Sequence, residues 1–188
     1  IRPLVLEYQL FSRDPFGPEM APWVEHYEKM SSGIARCAQK IAEHEASDES
    51  TIVTSYLAGL FCKIGIAVFA SVDPVKYRQV LRLALGDENR ELTEVEHQVY
   101  GVVRSEVAAY LLALWGLPSE VVQTVMYADV PAKSQESAFG PVTAVHVAQH
   151  FVVASMESIR ELARPLDEEF LKAVGCYHRL DDCRRICS

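Results

Sequence analysis

Apolar residues recur at helical spacing along almost the whole chain, and the breaks between them carry helix start and stop signals. The pattern predicts helices at Leu4–Phe11, Trp23–His44, Ser55–Ala70, Glu94–Trp115, Val142–Leu162, Leu166–Val174 and Tyr177–Ile186. A further helix follows Asp73-Pro74 and ends at Gly86, and another runs from Pro118 to Tyr127. Ser12–Pro22 is a loop punctuated by prolines, and Ala128–Ala138 is a polar loop containing Pro131. Ser47 or Asp48 caps the central helix, Val72 and Tyr77 occupy staple positions, and Thr93 with Glu96 forms a capping box. Strand periodicity is nearly absent, so the expected fold is all-α, a helical bundle forming one domain over 1–188.

The stretch Ser55–Ala70, SYLAGLFCKIGIAVFA, is apolar on nearly every face and carries one charge, Lys63. Such a helix belongs at the centre of a domain, and it is too short and too interrupted to be expected to span a membrane. A bare ammonium there is costly unless it is paired or reaches solvent along its stem.

Composition narrows the function. The chain has 188 residues and a net charge of −8, which argues against a nucleic-acid backbone or an anionic membrane as its main partner. Five cysteines, an odd number, with no signal peptide point to a reducing, cytoplasmic compartment. The chain starts at Ile1, and it reads as the C-terminal portion of something longer.

Two motifs resemble a known family. AGLFCKIG is similar to the AGLLHDIG signature of the HD superfamily, in which a His-Asp pair holds divalent metal; Cys62 and Lys63 stand at that pair. YGVVRSEVAAYLLALWGLP, from Tyr100 to Pro118, resembles the HDOD family, HD-related output domains of bacterial signalling proteins, whose members read close to FGVTHAEVGAYLLALWGLP. The resemblance implies an HD-type helical bundle and an intracellular signalling role exerted on other signalling proteins or domains, with a homodimer as a further partner. It also implies that the usual N-terminal lobe is missing, which would leave Leu4, Leu6, Tyr8, Leu10 and Phe11 with apolar surface to cover. At the metal-ligand positions the resemblance implies, this sequence has Met30, Cys62, Lys63, Arg104, Ala128, Asp129 and Gln149. Most of these are poor ligands for a catalytic divalent ion, so neither metal, cofactor nor catalytic residue is expected. The family segment that lies near the metal supplies Asp129 here, so the resemblance implies Asp129, or failing that Glu106, as the partner of Lys63. Two alternatives stand beside the non-catalytic regulatory domain: a metal-dependent phosphohydrolase with rearranged ligands, and a small-ligand sensor using the vacated pocket.

Other candidates each have a plain reading. His146 and His150 lie one turn apart, as a metal pair or as histidines with local hydrogen bonds. Cys176, His178, Cys183 and Cys187 could chelate zinc, but their spacing contains no CxxC pair, and Cys183 and Cys187 suit the packing of a terminal helix. Cys62 is either an activated nucleophile beside Lys63 or an inert buried thiol. Asp167, Glu168 and Glu169 suit a helix N-terminus.

Overall fold

The structure is a computed structural model that describes residues 21–45, 47–84, 90–157 and 163–187. The expected helix Leu4–Phe11, its apolar patch and the stop at Gly86 lie outside the described residues. Ten α-helices occur among those residues, and no strand: α1 (Ala21–His44), α2 (Glu49–Phe61), α3 (Ile64–Val72), α4 (Pro74–Ala84), α5 (Leu92–Tyr100), α6 (Arg104–Leu114), α7 (Ser119–Tyr127), α8 (Pro141–Ser155), α9 (Glu168–Ala173) and α10 (Leu180–Cys187).

The organising contact is α1 against α2 and α8. Met30, Ile34, Ala38 and Ile41 recur at helical spacing on the buried side of α1. Gly59 lets α2 come close, because a Cβ there would sit 2.9 Å from the Ala35 backbone. The Asp48 side chain accepts the Thr51 N–H at 2.8 Å and starts α2, as a cap of its type should.

Two helices expected to be continuous are broken. The central one divides at Cys62–Lys63 into α2 and α3, with neither proline nor glycine at the break. Just past the break the beginning of α6 approaches so closely that a Cβ on Gly65 would be 2.0 Å from the Arg104 carbonyl oxygen. The stretch Glu49–Val72 is nevertheless long and apolar enough to cross a membrane by length and composition, and 67% of its apolar window is buried against the rest of the chain. The second break divides Glu94–Trp115 into α5 and α6, where Gly101 adopts φ +75° as the C-cap of α5. Glu106 then starts α6 by accepting the Val103 N–H at 3.0 Å.

Phe69 stacks between Tyr77 and Tyr100 at centroid distances of 5.4 and 4.4 Å, tying α3 to α4 and α5. The polar loop after α7 contains a 3₁₀ turn, Pro131–Lys133. The Glu136 carboxylate accepts the N–H groups of Val142 and Thr143 at 2.7 and 3.0 Å, satisfying the first turn of α8.

Candidate functional site

The break between α2 and α3 turns Lys63 into the interior. The residue is 7% exposed. Its Nζ donates to Gln149 Oε1 on α8 at 2.7 Å and to Asp129 Oδ1, just after α7, at 3.3 Å. Arg104, at the head of α6, reaches the other oxygen of the same carboxylate, with Nη2 3.2 Å from Asp129 Oδ2. That contact is an ion pair without hydrogen-bond geometry, so Oδ2 accepts no hydrogen bond in the structure.

Arg104 also spans to Glu96 on α5. Its Nη1 lies 3.3 Å from Glu96 Oε1, and its backbone N–H donates to Oε2 at 3.0 Å. The Tyr77 hydroxyl donates to Oε1 at 2.9 Å. Glu96 is fully buried. Lys63, Asp129, Arg104 and Glu96 thus form a chain of alternating sign and zero net charge, in which mutual attraction and added hydrogen bonds offset the desolvation of four buried charges. Burial alone would raise the Asp129 carboxyl, but Lys63, Arg104 and Arg164 hold it well below the usual carboxylate range. Burial would likewise lower the Arg104 guanidinium, and Asp129 and Glu96 outweigh it and raise it further.

A second layer fixes the first. Ala128, which caps α7, uses its carbonyl to accept Gln149 Nε2 at 2.8 Å and the His146 Nδ1–H at 2.9 Å. His146 Nε2 accepts the Asp167 N–H at 3.0 Å. One nitrogen therefore donates and the other accepts, which defines a neutral Nδ1–H imidazole, and burial lowers the His146 pKa in agreement. Beside Asp129 a cavity of about 280 Å3 opens, lined in part by Glu91, Lys133, Arg164 and Asp167.

The donor set at the implied metal position does not fit a divalent ion. Met30 is buried in the core, on α1, and offers only a thioether. Burial pushes the Cys62 thiol up to about 11, so it remains protonated and inert, and its Sγ–H donates to the Gly59 carbonyl at 3.3 Å. Ala128 supplies only a carbonyl already used twice, and Gln149 an amide oxygen already held by an ammonium. Asp129 is the single carboxylate among these positions, and two cations flank it. Among the described residues, no cluster of three or more His, Cys, Asp or Glu could hold a metal ion.

Some of the remaining readings fail and others hold. Glu106 does not approach Lys63; it is exposed and serves as the α6 cap. Glu96 does not complete a capping box with Thr93; its carboxylate turns inward, and the helix starts from Glu91. His146 and His150 take the plain reading, each with its own hydrogen bonds: His150 Nδ1 bonds to the Arg164 carbonyl at 2.7 Å. The C-terminal zinc set does not assemble: Cys187 forms a disulfide with Cys37, His178 is exposed, and Cys176 and Cys183 are buried thiols that hydrogen-bond to each other. The cysteines are therefore not all reduced. Asp167 caps α9 by accepting the Phe170 N–H at 3.0 Å, with Glu168 and Glu169 in the first turn. Sequence reasoning missed Glu96 and Tyr77 as members of the buried network. The available signal was a carboxylate beside Val95 on the apolar face of α5.

Comparison with known proteins supplies the context for this centre. A crystal structure described as "a Putative signal transduction protein" from Marinobacter aquaeolei VT8 superimposes with a TM-score of 0.66 at 20% sequence identity. The likeness covers 86% of this chain and 36% of that one, so this chain spans about a third of that protein's length, and it establishes the fold alone. No curated protein matches the chain. The HDOD domain model matches residues 1–131, over which the paired motifs around Lys63 and Arg104 occur in order. The chain belongs to the HDOD domain family, whose members are signalling domains.

Proposed function

We propose that this domain acts in signal transduction without catalysing a reaction, by contacts with other signalling proteins or domains. The observation that carries the reading is the ammonium of Lys63, seated between Asp129 and Gln149 at 3.3 and 2.7 Å where an HD-type enzyme would hold its ion. A fixed cation at that point gives the framework the charge a metal would supply while offering neither Lewis acidity nor a bound hydroxide. Tyr110 and Leu114, one turn apart on α6 and 69% and 65% exposed, offer adjacent apolar surface for contact with a partner.

The reading is tested on protein purified without chelator. Elemental analysis finds less than a tenth of an equivalent of Mn, Fe, Ni or Zn, and phosphomonoesters and phosphodiesters are not hydrolysed when Mn²⁺ is added. A stoichiometric ion whose binding is abolished by Asp129→Asn, or hydrolysis lost in that variant, would replace this proposal with the phosphohydrolase.

A further inference from the structure

The C-terminal helix is fastened to the first helix by a covalent bond that the signalling reading leaves unused. Cys37 on α1 is bonded to Cys187, the last residue of α10, 150 positions away in the chain, with the Cα atoms 5.0 Å apart. Both cysteines face a cavity, but they differ in exposure: Cys37 is 4% exposed, whereas Cys187 is half-buried. The bond borders a surface cavity of about 400 Å3. One wall is a single face of α1, on which Lys29, Gly33, Arg36 and Lys40 recur at helical spacing; Val152 and Met156 form the other. Among the described residues lining the cavity, three are basic and none is acidic. On α10 itself, Asp182 is paired with Arg185. The remaining cysteines, Cys62, Cys176 and Cys183, are buried.

We infer that the Cys37–Cys187 disulfide is an exchange site for a small anionic thiol, which attacks at Cys187. The incoming thiolate forms a bond to Cys187 Sγ; the old S–S bond breaks, and its electron pair leaves on Cys37 Sγ, which then takes a proton. The product is a mixed disulfide on Cys187. A second molecule of the thiol attacks the sulfur of the attached one, releasing Cys187 as a thiol and leaving the two small thiols joined as a disulfide. Two electrons pass to the protein bond, and two thiols are oxidised. The direction follows from exposure, since Cys187 is the more exposed of the two residues and attack depends on access. The lining cations favour both the attacking and the leaving thiolate, and they concentrate an anionic thiol over a cationic one. Exchange removes the covalent link of α10 and leaves that end held by the buried Cys183 side chain and by the ion pair of Arg179 with Glu45 at 2.9 Å. This inference stands independently of the proposed signalling role.

The test uses the whole chain purified without reductant, treated with reduced glutathione or with cysteamine at equal thiolate concentration, quenched by alkylation and mapped by mass spectrometry. Glutathione reacts about tenfold faster at low ionic strength, the advantage shrinks in about 1 M salt, and the glutathionyl group is found on Cys187. The exposed double variant Arg36→Glu, Lys40→Glu reverses the preference, with circular dichroism confirming that it is folded. Equal rates for the two thiols, an adduct on Cys37, or free thiols at both positions in the untreated protein would each overturn the inference.

Discussion

Replacing Lys63 by Met tests the buried charge network most directly. Methionine fills nearly the same volume, so the change removes charge and donor without opening a cavity. In the parent, Lys63 and Arg104 balance Asp129 and Glu96. The variant leaves one negative charge uncompensated in the interior and Gln149 Oε1 without its donor. Breaking a buried pair from one side costs about 3–5 kcal/mol. Arg104 still lies 3.2 Å from Asp129 Oδ2, which places the expected loss near the lower end, about 3 kcal/mol. For a chain of this size that corresponds to a fall in Tm of about 6–12 °C. The loss also depends on pH. Asp129 is held well below its ordinary pKa, chiefly, against burial, by Lys63. A carboxyl with a depressed folded pKa contributes stability that is present above its unfolded value, near 4, and is lost as pH falls through the folded value. Removing Lys63 lets the folded pKa climb, so the gap between parent and variant is widest at neutral pH and narrows below about pH 4. Urea denaturation of both proteins at pH 7 and pH 3.5 measures this, and Asp129→Asn completes a double-mutant cycle. A loss under about 1 kcal/mol at pH 7, the range of an exposed pair, would refute the reasoning.

Gly65→Ala places a methyl group 2.0 Å from the Arg104 carbonyl oxygen; α3 and α6 must separate, and the expected loss exceeds about 3 kcal/mol by denaturant melting, the overpacking range or beyond. His146 is neutral in the folded state because burial lowers its pKa. The unfolded chain binds the proton first, so stability declines as pH drops below about 6.5, and His146→Gln removes that part of the slope in melts between pH 5 and pH 8. Glu106→Ala removes the bond to the Val103 N–H and costs about 1 kcal/mol, the usual worth of a helix cap, with no change in the pH dependence attributed to Asp129.

The sequence by itself determined the helices and their order, because an amphipathic period and its caps are local properties. Asp48 and Asp167 act as caps of the expected kind; of the expected staple pair, Tyr77 is buried but Val72 is 77% exposed, so the staple does not form. A lone Lys63 among apolar residues announced a polar centre by its desolvation cost alone, and the motifs around it pointed to the family. What the tertiary structure decided was where those helices break and which charges meet. No residue at Cys62–Lys63 is a helix breaker; the break lies beside the approach of Arg104 to Gly65, a contact between distant segments. Gly101 was a visible stop signal, yet only the left-handed turn that separates α5 from α6 gives Glu106 its capping role and turns Glu96 inward to Arg104. The bond from Cys37 to Cys187 spans 150 residues, and no local pattern selects that pairing from five cysteines. Spacing along a chain specifies which side chains share a helix face; the opposing face belongs to another segment, and only packing brings the two together.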